Sequence, residues 1–104
     1  MILYSKHTFN NNRRVSVILS RMGIYFKLVE VLRILFDMCQ HGYINETYIT
    51  VFNEFPNTKY VTMEGLFTLT HMSPRRRVAV ELEEWAKQLV LSVERSIHVA
   101  EFWL

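Results

Sequence analysis

The run from Thr62 to Ile97, TMEGLFTLTHMS then PRRR then VAVELEEWAKQLVLSVERSI, holds two helical patterns separated by a proline and three arginines. In its second half Val78, Leu82, Trp85, Leu89 and Val93 recur at intervals of four, three, four and four, and Ile97 continues the series. Those intervals line one side of a helix, while Glu81, Glu83, Glu84, Lys87, Gln88, Glu94 and Arg95 fill most of the remainder. Such a helix lies against a core with its charged side in water. Unbroken from Arg76 to Ile97, it would be about 33 Å long at roughly 1.5 Å per residue, the width of a small domain. A chain of 104 residues, half of them hydrophobic, can cover one such helix with one core, so a single domain over 1–104 is expected.

The basic step between the two patterns is the unusual chemistry. Ser73 is expected to cap the long helix and Pro74 to take its first position, where a missing N–H is harmless. Arg75, Arg76 and Arg77 then fall in the first turn, where the helix dipole is already positive and acids would be stabilising. The three can bend into water, or an anion such as a phosphate can dock at the helix start. A solvated turn neutralised by Glu81, Glu83 and Glu84 is the commoner fate of an isolated basic triplet.

Upstream, MILYSKHTF has strand composition and is followed by Asn10, Asn11 and Asn12, a turn, and by Arg13 and Arg14. Val15, Val17 and Leu19 alternate with Ser16, Ile18 and Ser20, and Arg21-Met22-Gly23 turns the chain into Ile24, Tyr25 and Phe26, which reads as a hairpin. Leu28, Val31, Leu32 and Leu35 have helical spacing, with a stop before Gly42. Residues 37–58 carry no decisive pattern: INETYITVF has strand composition, yet Asn45 could cap a short helix. Phe55-Pro56-Asn57-Thr58 reads as a turn, Lys59 to Val61 as a short strand, and Thr62 as the cap of a helix over Met63 to Met72. Gly65, early in that helix where any side chain should be harmless, suggests close approach of a neighbouring element, the alternative being simple tolerance of glycine.

Other function classes find little support. His7, His41, His71 and His98 have no metal-ligand spacing, the single Cys39 forms no zinc pattern or intrachain disulfide, and no Gly-rich phosphate loop follows a strand. Glu81, Glu83 and Glu84 fall mostly on the wet side of their helix, so no enzyme activity and no cofactor is expected. No apolar run approaches the roughly 18 residues of a membrane span and no signal segment opens the chain, so an intracellular protein is expected. A formal charge of +2 is too small for a strong global field, so attraction to nucleic acid would have to be local. Phe102, Trp103 and Leu104 form an apolar tail that either folds back on the domain or joins a second copy.

Taken together, Glu64, Gly65, Leu66, Phe67 and Leu69, then Ser73, then Ala79, Leu82 and Trp85, then Val90, Leu91 and Arg95, resemble the Bro N-terminal domain of baculovirus repeated-ORF proteins and phage antirepressors. Phe26, Glu30, Val31 and Leu35 match it in the first helix, so the likeness spans about 15–95. The chain departs from the pattern in one extra residue between Ser73 and Ala79, Leu82 for an aromatic, Leu89 for an acid, Ser92 for a proline, and Phe36-Asp37 for a Gly-Tyr pair.

The expected fold is α+β: an N-terminal β-hairpin, a short additional strand and three main helices, the last one long. The resemblance implies a viral, regulatory DNA-binding protein in the nucleus or cytoplasm of an infected cell, with RNA as a second nucleic-acid partner. In that picture Arg75, Arg76 and Arg77 meet backbone phosphates, with Arg13, Arg14, Lys59 and Lys6 as auxiliary charges, giving affinity without base identity. The alternative is an interaction or dimerisation module derived from a shortened Bro protein.

Overall fold

A computed structural model describes residues 2–10, 13–36 and 44–103, with side chains described as far as Glu94. Among the described residues five strands form one antiparallel sheet: β1 (Leu3–Asn10), β2 (Arg13–Ser20), β3 (Gly23–Lys27), β4 (Ile49–Phe52) and β5 (Phe55–Thr62). Their spatial order is β1-β2-β3-β5-β4. Among the described residues three helices complete the α+β domain: α1 (Leu28–Leu35), α2 (Met63–Met72) and α3 (Arg76–Trp103).

The expected hairpin is a three-stranded meander. Leu3 pairs with Leu19 and Val17 with Phe26, and Gly23 at φ 141° makes the tight β2–β3 turn in a conformation that a side chain would resist. From β3 the chain enters α1 without a linker, and β5 returns beside β3 with Phe26 against Val61. β4 closes the far edge.

Strand alternation divides the sheet into two chemically different sides. Val15, Val17, Phe26 and Val61 face the helices and join Leu28, Val31, Leu32 and Leu35 of α1, Leu66 and Leu69 of α2, and Ala79, Leu82 and Ala86 of α3 in one core. Each fully buried Leu or Val contributes about 1.5–3 kcal/mol, so this side supplies most of the stability. The other side carries Tyr4, Ile18, Tyr25, Phe52 and Tyr60.

The α3 stripe is present but centred differently from its sequence pattern. Leu82 is buried, whereas Val78, Trp85, Leu89 and Val93 are half-buried, because Ala79 and Ala86 make the closest approach. Small residues there let the helix sit low on the sheet. Trp85 flanks that line, with ring centroids 5.9 Å from Phe9 on β1 and 6.1 Å from Phe26 on β3.

Several local expectations need correction. The turn placed at Phe55-Pro56-Asn57-Thr58 lies earlier, at Asn53-Glu54, and Phe55 already belongs to β5. Pro56 is tolerated there because β5 pairs near its start through Phe55 and Phe52 at an irregularity in register. INETYITVF resolves into both alternatives: the Asn45 side chain accepts from the Thr47 N–H at 3.0 Å, opening a 3-10 turn over Glu46–Tyr48, and β4 follows. α3 starts two residues later than expected, since the Arg75 carbonyl accepts its first helical bond, from Ala79 N–H, at 2.9 Å; Arg75 rather than Ser73 holds the cap position and Pro74 precedes it. The side chains of the apolar tail, and Cys39 and His41, lie outside the described ones.

Thr62 caps α2 as its sequence implies, its hydroxyl accepting from the Gly65 N–H at 3.1 Å. Gly65 is required for space. A β-carbon there would overlap Val61 Cγ2 and stand 2.7 Å from Tyr48 Cβ, so α2 and the 3-10 turn approach closer than any side chain permits.

Candidate functional site

Two of the three arginines of the basic step are tied into the fold. α1 stops at Leu35 and α2 at Met72, and the last carbonyls of each helix have no intrahelical donor. The Arg75 guanidinium donates to the Ile34 carbonyl at 3.1 Å and the Arg33 carbonyl at 3.5 Å. Arg76 donates to the carbonyls of Thr70 at 2.8 Å, Ser73 at 3.2 Å and His71 at 3.3 Å. Two cations expected in water or on an anion thus satisfy the negative ends of the two preceding helices, which suits a guanidinium with five donors. Arg77 alone follows the solvated expectation, with an exposed side chain 3.5 Å from Glu81.

Ser73 completes the joint. Its buried hydroxyl donates to the Leu35 carbonyl at 2.6 Å and accepts from the Arg75 N–H at 3.1 Å. It ends α2, steers the chain into α3 and fastens both to the end of α1.

A second arginine reaches the same point from the sheet. Arg13 donates to the Ile34 carbonyl at 3.4 Å, the oxygen that also receives Arg75. Arg13, Arg14, Glu30, Arg33 and Ile34 line an open cavity of about 300 Å³. Glu30 is already engaged: β3 has ended at Lys27, so the next N–H of β2, that of Ser16, donates instead to Glu30 Oε1 at 2.7 Å. The Arg13 and Arg75 guanidiniums therefore meet at one helix end that offers about half a negative charge, with Arg14 and Arg33 on the wall of the adjoining cavity and its carboxylate, Glu30, already committed.

Of the residues singled out in the sequence, Arg13, Arg14 and Arg75 come together here, joined by Arg33. Arg33 had been missed because it sits inside the apolar pattern of α1. Its signal was a cation in the last turn, where cations suit the helix dipole. Lys59 lines a different cavity, of about 370 Å³, with Lys27, Val29, Asn57 and Thr58. Lys6 lies on β1 opposite Ser16.

Three acids of α3 have separate partners. Glu81 meets Arg77, Glu83 lies 3.9 Å from His71, and Glu84 lies 3.8 Å from Lys87. They form no shared carboxylate pair. Among the described residues no cluster of His, Cys, Asp and Glu could hold a metal, and no helix is long and apolar enough to cross a membrane. Burial raises the Tyr60 pKa above the ordinary phenol value of 10.0, and the nearby Tyr4 and Glu30 add to the rise.

Comparison with protein-family models, with curated proteins and with solved structures returned no match.

Proposed function

We propose that this chain binds nucleic acid, DNA in the first instance, by holding its phosphates at the cavity formed by Arg13, Arg14 and Arg33 beside Arg75. The observation that carries the reading is the convergence of Arg13 and Arg75 on the single carbonyl of Ile34, with Arg14 and Arg33 on the same cavity wall. Like charges so close repel, and one helix end compensates only part of them. A phosphate oxygen, which accepts several guanidinium hydrogen bonds at once, relieves the remainder.

Contacts of this kind fix a backbone without reading bases, so affinity would be largely independent of sequence. The contact set moves from the PRRR triplet toward the start of β2 and the end of α1. Arg75 and Arg76 serve mainly to hold that surface in shape. Kinship with the Bro N-terminal family, and a viral regulatory role, belong to the same proposal through the motif between Glu64 and Trp85.

A mobility shift at low salt tests it. The wild-type chain should retard duplexes of unrelated sequence alike, and Arg14→Ala with Arg33→Ala should weaken that retardation without loss of helical signal. Absence of retardation of duplex and of single strand alike by the wild type would refute the reading.

A further inference from the structure

The side of the sheet opposite the helices has its own pattern, which the phosphate cavity does not use. Register places Tyr4, Ile18, Tyr25 and Thr62 side by side on β1, β2, β3 and β5. Two residues along the strands, Lys6 lies opposite Ser16, and Lys27 lies opposite Tyr60. Two further along β2 comes Arg14, opposite Thr8 and on the wall of the arginine cavity. A row with two tyrosines, a row with two lysines and an arginine thus succeed one another at spacings of about 6.6 Å, two residues of strand.

The rings are only partly covered. Phe52 stands 5.1 Å from Tyr25 and Phe55 5.2 Å from Tyr4, both over the buried ring of Tyr60. Tyr4 is 47 % exposed, and Tyr25, Phe52 and Phe55 are half-buried. No acid occupies a described strand position on this side, and Glu30 at its margin is bonded to the Ser16 N–H. An ordinary wet sheet face carries mixed charges and short polar residues; this one pairs ring faces with cations.

We infer that this face is a stacking platform for an unpaired strand of nucleic acid, whose bases lie on Tyr4 and Tyr25 while its phosphates follow Lys6, Lys27 and Arg14 toward the arginine cavity. The inference rests on the proposed phosphate binding and names its substrate: a single strand rather than a duplex. Rings accept any base, whereas a duplex keeps its base faces stacked inside. Charge complementarity selects this occupant over an apolar partner, for which three cations along the track would be a cost.

Fluorescence anisotropy with labelled oligodeoxythymidylate, oligouridylate, an abasic strand of equal length and a duplex tests it. Expected is tighter binding of the two base-bearing single strands than of the duplex. Tyr4→Leu should lower their affinity about tenfold, the loss of one stacked base, with the salt slope unchanged, and Tyr4→Phe should restore it. The DNA and RNA arms show which sugar is preferred. Should Tyr4→Leu disturb folding, the wild-type chain still decides: the abasic strand should bind about tenfold more weakly or worse. Equal binding of abasic and base-bearing strands, or duplex bound at least as tightly as single strand, overturns the platform while leaving phosphate binding standing. No binding of any strand at low salt overturns both.

Discussion

The Ser73 hydroxyl donates to the Leu35 carbonyl at 2.6 Å, joining residues 38 positions apart in the chain at the point where all three helices meet. Ser73→Ala leaves a buried carbonyl without its donor and the Arg75 N–H without its acceptor. The expected loss is about 1–3 kcal/mol, read as a lower urea midpoint at unchanged m-value. An unchanged midpoint would mean that water replaces the hydroxyl and the joint is looser than described.

The arginines of the step should separate by role. Arg76→Ala removes donors from three carbonyls at the end of α2 and should destabilise by about 1–3 kcal/mol, since hydrogen bonds from charged groups are the stronger ones. Arg77→Ala breaks an exposed ion pair and should change stability by less than about 1 kcal/mol. Equal effects in thermal denaturation would contradict the assignment of Arg76 as a helix-end donor.

Gly65→Ala should destabilise. The added methyl collides with Val61 and with Tyr48 Cβ, neither of which is the far end of a flexible chain, and overpacking of this kind costs about 1–3 kcal/mol. Had the position merely tolerated glycine, alanine would stabilise by about 0.4–1 kcal/mol, so the sign alone decides.

Trp85→Ala should cost about 3 kcal/mol, the low end for a large aromatic, because the ring is half-buried against Phe9 and Phe26. Trp85→Phe should recover much of it. Intrinsic fluorescence of the single variant Trp103→Phe should be blue-shifted relative to the unfolded chain, and a spectrum of fully solvated indole would contradict the packing.

Tyr60 predicts the alkaline limb of the stability curve. Its folded pKa lies above the unfolded value of about 10, so the folded state keeps its proton longer. Its contribution is therefore complete below about pH 10 and is lost as pH rises through the folded pKa. Tyr60→Phe should flatten that limb in urea titrations; an identical limb in the variant would place the titration elsewhere.

The helix stripe and the Thr62 cap were legible because each depends on neighbours within a few positions, and the approach of Tyr48 to Gly65, 17 residues away, left its mark only as a glycine early in a helix. The destination of Arg75 and Arg76 was not legible. Their acceptors are carbonyls exposed only where α1 and α2 stop, and one of them, Ile34, lies 41 residues from Arg75. Local electrostatics predicted repulsion at the start of α3, and helix ends brought in by tertiary packing reversed the outcome. Arg33 was hidden for the opposite reason: the apolar periodicity around it was strong enough to make it look like filler on a helix surface. The aromatic side of the sheet needed the register of β3 against β5, which no spacing in the sequence supplies.

The most direct test of phosphate binding is the salt dependence of DNA affinity for the wild-type chain and for the pair Arg14→Ala and Arg33→Ala, whose guanidiniums take no part in the helix-end bonds described. The logarithm of affinity should fall with the logarithm of salt concentration by about 0.9 per phosphate contact on duplex or about 0.7 on a single strand, and the double variant should lower that slope by about 1.8 or 1.4 respectively. A wild-type chain that fails to bind either form at about 50 mM salt, or a double variant that binds with the parental slope, would contradict the account.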